Sequence, residues 1–209
     1  MEKNLQKPTE YCNFAATKRN RTTFRLILLV EIVAIYPQYI YSIQYEEQNE
    51  NEFDRLFALW NDVDYVNQFL VNNQKYLSLP TWQQIQEPED AARQVLAEAA
   101  NLEDLFEDLY QNVLHGRKPD FDRHFSFLEG KYKYSLQWPP MKSYGTYRPS
   151  LLRIYAVKME KNLYLITGGG IKLADTIQNS PDLKDHVLQN IDKVRTFLRE
   201  NGILEAEDM

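Results

Sequence analysis

Side chains that could bind a phosphate, or act on one, are concentrated in the last third of the chain. Lysine and arginine carry the positive charge that attracts a phosphate, and a tyrosine hydroxyl both donates and accepts hydrogen bonds. Five residues of these types are the candidates: Lys142, Tyr144, Arg148, Arg153 and Lys172. The surrounding segment, residues 121–172, has 9 basic and 3 acidic side chains, a net charge of +6. This pattern indicates either a specific RNA or DNA surface or a solvated basic face that is balanced by acidic helices.

The charge of the remaining chain is distributed unevenly. Residues 41–120 carry 5 basic and 16 acidic side chains, a net charge of −11, and the whole chain of 209 residues has a net charge of −6. A negative protein is a poor general binder of nucleic acids, because the phosphate backbone would be repelled. A nucleic-acid contact would therefore have to be local to the basic segment.

Other chemical signatures are weak. The one cysteine, Cys12, cannot form an intramolecular disulfide, so cysteine usage favours a reducing compartment and we predict a cytoplasmic protein. The three histidines, His115, His124 and His186, lie far apart without helical metal-ligand spacing. His124 follows Arg123 at the start of a strand, where a capping or packing role is the simpler interpretation. No Ser-His-Asp, H-E-x-x-H or paired-carboxylate pattern is present, and we expect no metal and no cofactor.

Residues 1–39 differ from the rest and are interpreted as an N-terminal extension, either poorly ordered or a weak apolar segment. The apolar run FRLILLVEIVAIY is shorter than the roughly 20 residues that span a bilayer and contains Arg25 and Glu31. A weak signal anchor is the alternative, and no membrane partner is expected. The folded part is predicted to be a single domain over residues 40–204.

Residues 40–118 predict one strand and then helices. YSIQYEE alternates apolar and polar residues, as a half-buried first strand does. EFDRLFALW and VDYVNQFLV have apolar residues at helical spacing and are separated by Asn61-Asp62. The longest helix is predicted over residues 87–113, with Pro88 in its first turn. Residues from about 60 to 118 are therefore expected to be helical and acidic.

Strands and a last helix are predicted after Pro119. HFSFLEG and KYKYSLQW form a predicted hairpin, residues 139–150 a loop, and LLRIYAVKM and LYLITGG two further strands. Gly168 to Gly170 are expected to end the last strand. Ser180 is expected to cap a helix that runs to about Asn201. The predicted fold class is α+β, with the first strand and helices packed on an antiparallel sheet and a C-terminal helix.

The segment LLRIYAVKMEKNLYLITGGGIKL resembles the C-terminal hairpin of the RelE/ParE toxin superfamily, especially its HigB-like, phage-derived branch. Arg153 matches the strand arginine of that family, residues 164–167 match its last strand, and Lys172 matches the first member of a basic pair. The sequence departs from the family at the turn that usually contains a histidine, here Gly168 to Gly170. It also departs at the second lysine, here Leu173, and at a sheet arginine, here Gln137.

The resemblance implies a RelE/ParE-like fold in which residues from about 60 to 118 are an acidic helical insertion. It also implies a toxin-like component of a toxin–antitoxin system. Its activity would be metal-independent cleavage of mRNA on a basic sheet face, and its partners an antitoxin and mRNA or the ribosome. By matched position Arg153 and Lys172 would be catalytic and stabilise charge at the phosphate, while Lys142, Tyr144 and Arg148 are RNA-binding candidates because they are close in sequence. The departures leave an alternative open, a non-catalytic protein of the same fold that binds an antitoxin or a topoisomerase-type target.

Overall fold

The computed structural model describes residues 30–46, 48–85, 87–128 and 137–208. Its strands are β1 (Val30–Tyr36), β2 (Ile40–Tyr45), β3 (Ser126–Phe127), β4 (Pro140–Tyr144), β5 (Leu152–Glu160) and β6 (Leu163–Ile171). Its α-helices are α1 (Glu52–Asn61), α2 (Val63–Asn72), α3 (Pro88–Leu114) and α4 (Val187–Glu200). The predicted α+β class is confirmed. None of the helices in these residue ranges is long and apolar enough to cross a bilayer.

The strands form one six-stranded mixed sheet in the order β1-β2-β6-β5-β4-β3. All neighbouring pairs are antiparallel except β2 and β6, which pair in parallel over Ile40–Ser42 and Tyr164–Ile166. The prediction of a wholly antiparallel sheet is therefore wrong at this pair. Parallel neighbours need a long crossover connection, and the chain between β2 and β6 supplies it because it includes α1 to α3.

The sheet begins before the predicted domain boundary at Ile40. Strand β1 pairs along β2, with Ile32 opposite Ile43 and Ala34 opposite Tyr41. Residues 30–39 therefore belong to the fold and not to an extension. The remainder of the predicted extension, residues 1–29, lies outside the described residues.

Helices α1 to α3 cover one face of the sheet, and their ends follow ordinary capping chemistry. The Asn51 side chain caps α1, and Asp62 ends α1 and caps α2 by accepting a hydrogen bond from the Tyr65 amide at 3.0 Å. Helix α3 begins with Pro88 and a reciprocal capping box between Glu87 and Asp90. The predicted helices and the break at Asn61-Asp62 are thus confirmed. Their buried side chains form the larger core with the inward-facing residues of β2, β5 and β6.

Helix α4 covers the opposite face of the sheet. Its buried side chains pack against the residues of β2, β5 and β6 that point toward this face. They are Val187, Ile191, Val194 and Leu198. The helix begins at Val187, so the prediction that Ser180 caps it is wrong. Ser180 is buried instead, and its hydroxyl accepts a hydrogen bond from the Leu173 amide at 2.9 Å. The same serine–proline pattern that opens a helix also serves a buried turn.

Two predictions between residues 137 and 171 are also corrected. Residues 140–144 are strand β4 and not part of a loop, because they pair along β5. Gly168 to Gly170 lie inside β6 and do not end it. A Cβ at Gly169 would come within 2.7 Å of the Leu56 side chain, so glycine lets α1 pack closely on the strand. Most of the predicted hairpin strand KYKYSLQW, residues 131–136, lies outside the described residues.

Candidate functional site

Pairing between β4 and β5 brings four of the five candidate side chains together. Tyr144 lies opposite Arg153 in the register of the two strands, and Lys142 lies two residues earlier on the same face. Three cations surround the Tyr144 ring: the Arg153 guanidinium is 4.2 Å from the ring centroid, the Lys142 ammonium 5.5 Å and the Arg148 guanidinium 5.6 Å. We refer to Lys142, Tyr144, Arg148 and Arg153 as the Tyr144 cluster. Cations prefer this position near the electron-rich face of an aromatic ring.

The two arginines of the cluster are held by the backbone. Nη1 of Arg153 donates to the carbonyls of Ser150 and Leu152, at 3.0 and 2.6 Å. Nη1 of Arg148 donates to the carbonyls of Gly145 and Tyr147, both at 2.6 Å. A guanidinium has five N–H donors, and these bonds use only one nitrogen of each arginine. Arg153 is partly buried whereas Arg148 is exposed, so Arg148 is the more accessible of the two.

Glu98, a fully buried residue of α3, holds the connection between β4 and β5 by hydrogen bonds. Its carboxylate accepts hydrogen bonds from the Ser150 hydroxyl at 2.7 Å and from the amides of Leu151 and Leu152 at 3.0 and 3.1 Å. Gln94, one turn earlier on α3, donates to the same carboxylate at 2.7 Å. Helix α3 therefore fixes the backbone that in turn holds Arg153.

Charges within the cluster act on each other. Burial tends to raise the pKa of Tyr144, but hydrogen bonds with Lys142 and Ser126 and the charges of Lys142 and Arg153 outweigh it and lower the pKa. The pKa of Arg153 is lowered chiefly by burial. Tyr155, Tyr144 and Glu98 oppose this effect, and the charge of Arg148 makes a smaller lowering contribution. The cations thus repel each other and stabilise negative charge at Tyr144. A bound anion would relieve that repulsion.

A cavity of about 470 Å³, here called the Tyr144 cavity, adjoins the cluster. Tyr144 and Arg148 are the members of the cluster that line it. Arg123, His124, Ser126, Tyr144 and Arg148 provide most of its polar lining. The hydroxyl side chains of Ser143 and Thr146 complete that polar lining, and in the described part of the chain no carboxylate lines it. Nε of Arg123 pairs with the carboxylate of Asp120, a residue outside this lining, at 3.1 Å. The remaining guanidinium donors of the two arginines and the hydroxyls form a suitable environment for a phosphate group.

Arg123 and His124 reach the cavity from the turn that precedes β3. The turn is anchored by Asp122, which accepts hydrogen bonds from the Tyr164 hydroxyl at 2.6 Å and the Asn162 amide at 2.9 Å. Burial lowers the pKa of His124; the charge of Asp120 opposes this effect, the charge of Arg123 adds to it, and the net shift is downward. His124 is therefore neutral at pH 7 and is able to accept a proton.

Two exposed aromatic side chains flank the cavity lining in sequence. Phe127 follows Ser126 on the edge strand β3 and is 54% exposed, and Tyr147 lies between Thr146 and Arg148 and is 44% exposed. Exposed rings of this kind provide stacking surfaces for unpaired bases. Neither ring lines the cavity, and Phe127 points to the opposite face of β3 from Ser126 because side chains alternate along a strand.

Lys172 occupies a different setting from the other candidates. Its ammonium donates to the carbonyls of Ala174 and Asp175, at 2.6 and 2.9 Å, and it does not line the cavity. The capping role expected for His124 is confirmed, because its amide donates to the Phe121 carbonyl at 3.0 Å at the end of the turn. The sequence interpretation did not predict that His124 also lines the cavity. The density of basic residues that starts at Arg123 was the available signal.

No family model, no curated protein and no solved structure matches this chain. The resemblance to the RelE/ParE superfamily consequently stays a prediction from short motifs. Within the ranges that the structure describes, no group of three or more His, Cys, Asp or Glu side chains is placed to hold a metal ion.

Proposed function

We propose that the protein binds single-stranded RNA and that a backbone phosphate occupies the Tyr144 cavity. The observation that carries the proposal is the gathering of Lys142, Arg148 and Arg153 around one tyrosine, beside a cavity with no carboxylate in its described lining. A phosphodiester would neutralise part of this charge, and Arg148 has the exposure needed to contact it. Tyr147 is exposed and lies between the lining residues Thr146 and Arg148 in sequence, so it would stack on a neighbouring base.

Cleavage of the bound RNA is the stronger form of this proposal and agrees with the toxin-like activity that the resemblance implies. The 2′-oxygen attacks the adjacent phosphorus, its proton passes to the neutral imidazole of His124, and the bond to the 5′-oxygen breaks. The departing 5′-oxygen takes its proton from the Tyr144 hydroxyl, and a 2′,3′-cyclic phosphate remains. Arg148 and Arg123 would stabilise the charge on the phosphate oxygens.

A second candidate is binding without cleavage, as in a non-catalytic protein of the same fold. Arg153 and Lys172, the residues that the resemblance assigns to catalysis, direct their recorded hydrogen bonds to backbone carbonyls. Such bonds favour a positioning role for Arg153. In this form the cluster provides affinity only.

The test uses the full chain and a short single-stranded RNA with a fluorescent label. Fluorescence anisotropy measures Kd, and a denaturing gel of the same mixtures reports cleavage. We expect Arg148→Gln to weaken binding roughly tenfold, the loss that follows removal of one good phosphate contact. The matched control is Lys161→Gln, which removes the same charge from the exposed turn between β5 and β6 and is expected to leave Kd unchanged.

Three outcomes separate the forms of the proposal. Binding with cleavage that His124→Gln abolishes, at unchanged Kd, supports the ribonuclease. Binding without cleavage supports the non-catalytic alternative. Absence of binding at low salt, or equal Kd for Arg148→Gln and the wild type, overturns the assignment of the Tyr144 cavity.

A further inference from the structure

A second cavity, of about 500 Å³, lies where β2 and β6 separate. Recorded pairing between these parallel strands covers Ile40–Ser42 and Tyr164–Ile166, whereas β2 continues to Tyr45 and β6 to Ile171. From β2 the chain turns into α1 on one face of the sheet, and after β6 it leads to α4 on the other face. Neighbouring parallel strands with connections to opposite faces leave a crevice at their carboxyl ends, and sheets bind ligands at such points.

Gly168 lies next to residues that line this crevice. Its backbone φ of +149° is an angle that residues other than glycine rarely adopt. A Cβ at this position would lie 3.2 Å from Oε2 of Glu52 on α1 and 3.7 Å from Nδ2 of Asn190 on α4. The two helices thus face each other across a strand position without a side chain.

One wall of the cavity presents hydrogen-bond acceptors. It is formed by the segment after β2 and by the start of α1, and includes Glu46, Gln48 and Glu52. Both oxygens of Glu52 bind Arg55, at 2.8 Å each, so this pair is neutral. Oε1 of Gln48 is buried and has no hydrogen-bond partner, and Glu46 is exposed. Because Oε1 of Gln48 has almost no accessible surface, the acceptor that a ligand would meet on this wall is the Glu46 carboxylate.

The opposite wall presents donors and positive charge. His186, Asn190 and Lys193 line it from one side of α4, at helical spacing. The helix begins at Val187 without a side-chain cap, so the positive end of its dipole adds to the charge of Lys193. The two walls are therefore of opposite electrostatic character.

We propose that this cavity binds a free α-amino acid. The ammonium group would contact the Glu46 carboxylate, and the carboxylate would contact Lys193 and Asn190 at the start of α4. A simple anion would face the like charge of Glu46, and a simple cation would face Lys193. A cavity of this volume is within the usual range for small molecules, and no residue of it lines the Tyr144 cavity.

Isothermal titration calorimetry of the full chain with each proteinogenic amino acid tests this proposal. At least one is expected to bind, and its N-acetyl and methyl ester derivatives are expected to bind at least about tenfold more weakly, because each lacks one charge. Glu46→Gln and Lys193→Gln should each weaken binding by a similar factor. Both residues are exposed, so neither change should disturb folding. Lys184→Gln, an exposed lysine just before α4, is the matched control and should bind as the wild type does.

The proposal is overturned if no amino acid binds, or if both charge variants retain the wild-type Kd. It is equally overturned if inorganic phosphate binds in this cavity and amino acids do not, because the site would then recognise an anion only. Failure here leaves RNA binding at the Tyr144 cavity untouched, since the variants in the two tests are different.

Discussion

Glu98 and its four hydrogen-bond donors, here called the Glu98 network, adjoin the same short connection between β4 and β5 as the Tyr144 cluster does. The two groups of polar side chains differ in how their charges are compensated. Glu98 is fully buried, and four donors bind its two oxygens. In the Tyr144 cluster three cations surround one phenol ring. Burial lowers the pKa of Arg153, and the charge of Arg148 lowers it further. The first arrangement satisfies its charge within the protein, while the second concentrates charge of one sign.

This contrast indicates that Glu98 has a structural role and that the Tyr144 cluster has a binding role. A buried carboxylate with all its hydrogen bonds made holds the backbone in one conformation, and removing it leaves donors unpaired. Like charges held together cost stability unless something else compensates them, and functional sites are where such arrangements are found. We therefore expect changes at Glu98 to affect mainly the free energy of unfolding, and changes in the Tyr144 cluster to affect mainly binding.

The largest effect is expected for Glu98→Gln. The amide keeps one acceptor oxygen but turns an NH2 group toward the donors of Leu151, Leu152 or Ser150, so the free energy of unfolding should fall by about 3 kcal/mol. Urea unfolding followed by circular dichroism measures it. Asp104→Asn, on an exposed position of α3, is the matched control and should change stability by less than about 0.5 kcal/mol. A loss for Glu98→Gln no greater than that of the control would contradict the structural role.

The second-largest loss of stability is expected for Gly145→Ala, because glycine at this position leaves room for the Glu98 side chain. A Cβ at Gly145 would overlap the Glu98 carboxylate and approach the Ser150 hydroxyl to 2.8 Å. Gly145→Ala should therefore displace the connection and reduce the free energy of unfolding by roughly 2 kcal/mol. Gly116→Ala provides a comparison, because nothing lies within 4 Å of its Cβ and only the positive φ of +80° is unfavourable. Equal losses for the two variants would show that contact with Glu98 does not matter.

A smaller effect, on binding and not on stability, is expected for Arg148→Gln. The guanidinium is exposed, so its loss should change the free energy of unfolding by less than about 0.5 kcal/mol. RNA affinity should fall roughly tenfold, and the slope of log K against log salt concentration should decrease in magnitude by about 1. Anisotropy titrations at several salt concentrations give both quantities. An unchanged slope would mean that Arg148 does not contact a phosphate.

The smallest effect is expected on a single titration. Lys142→Gln removes a hydrogen bond and a positive charge that lower the pKa of Tyr144, so that pKa should rise. NMR of ring-labelled tyrosine follows it, with Tyr144→Phe identifying the resonance. If the pKa stayed where it is in the wild type, Lys142 would have no electrostatic contact with the phenol.

Much of this site could be predicted because Lys142, Tyr144, Arg148 and Arg153 are close in sequence. They come together through the pairing of β4 with β5, although a loop was predicted for the segment that contains the first three. The basic residues that begin at Arg123 point to this region, but they do not assign His124 to the cavity, because its approach depends on how β3 pairs with β4. Likewise, helical and strand periodicity identifies elements but not their partners, so the parallel pairing of β2 with β6 was missed.

The central claim is that a phosphate of bound RNA lies beside Tyr144, and the pKa of Tyr144 with and without RNA tests it most directly. A phosphate would neutralise the cations that lower this pKa and would oppose the phenolate, so NMR titration of the ring-labelled full chain should show a higher pKa in the complex. RNA that binds with no change in the pKa of Tyr144 would lie elsewhere on the protein, and the account given for the Tyr144 cluster would be wrong.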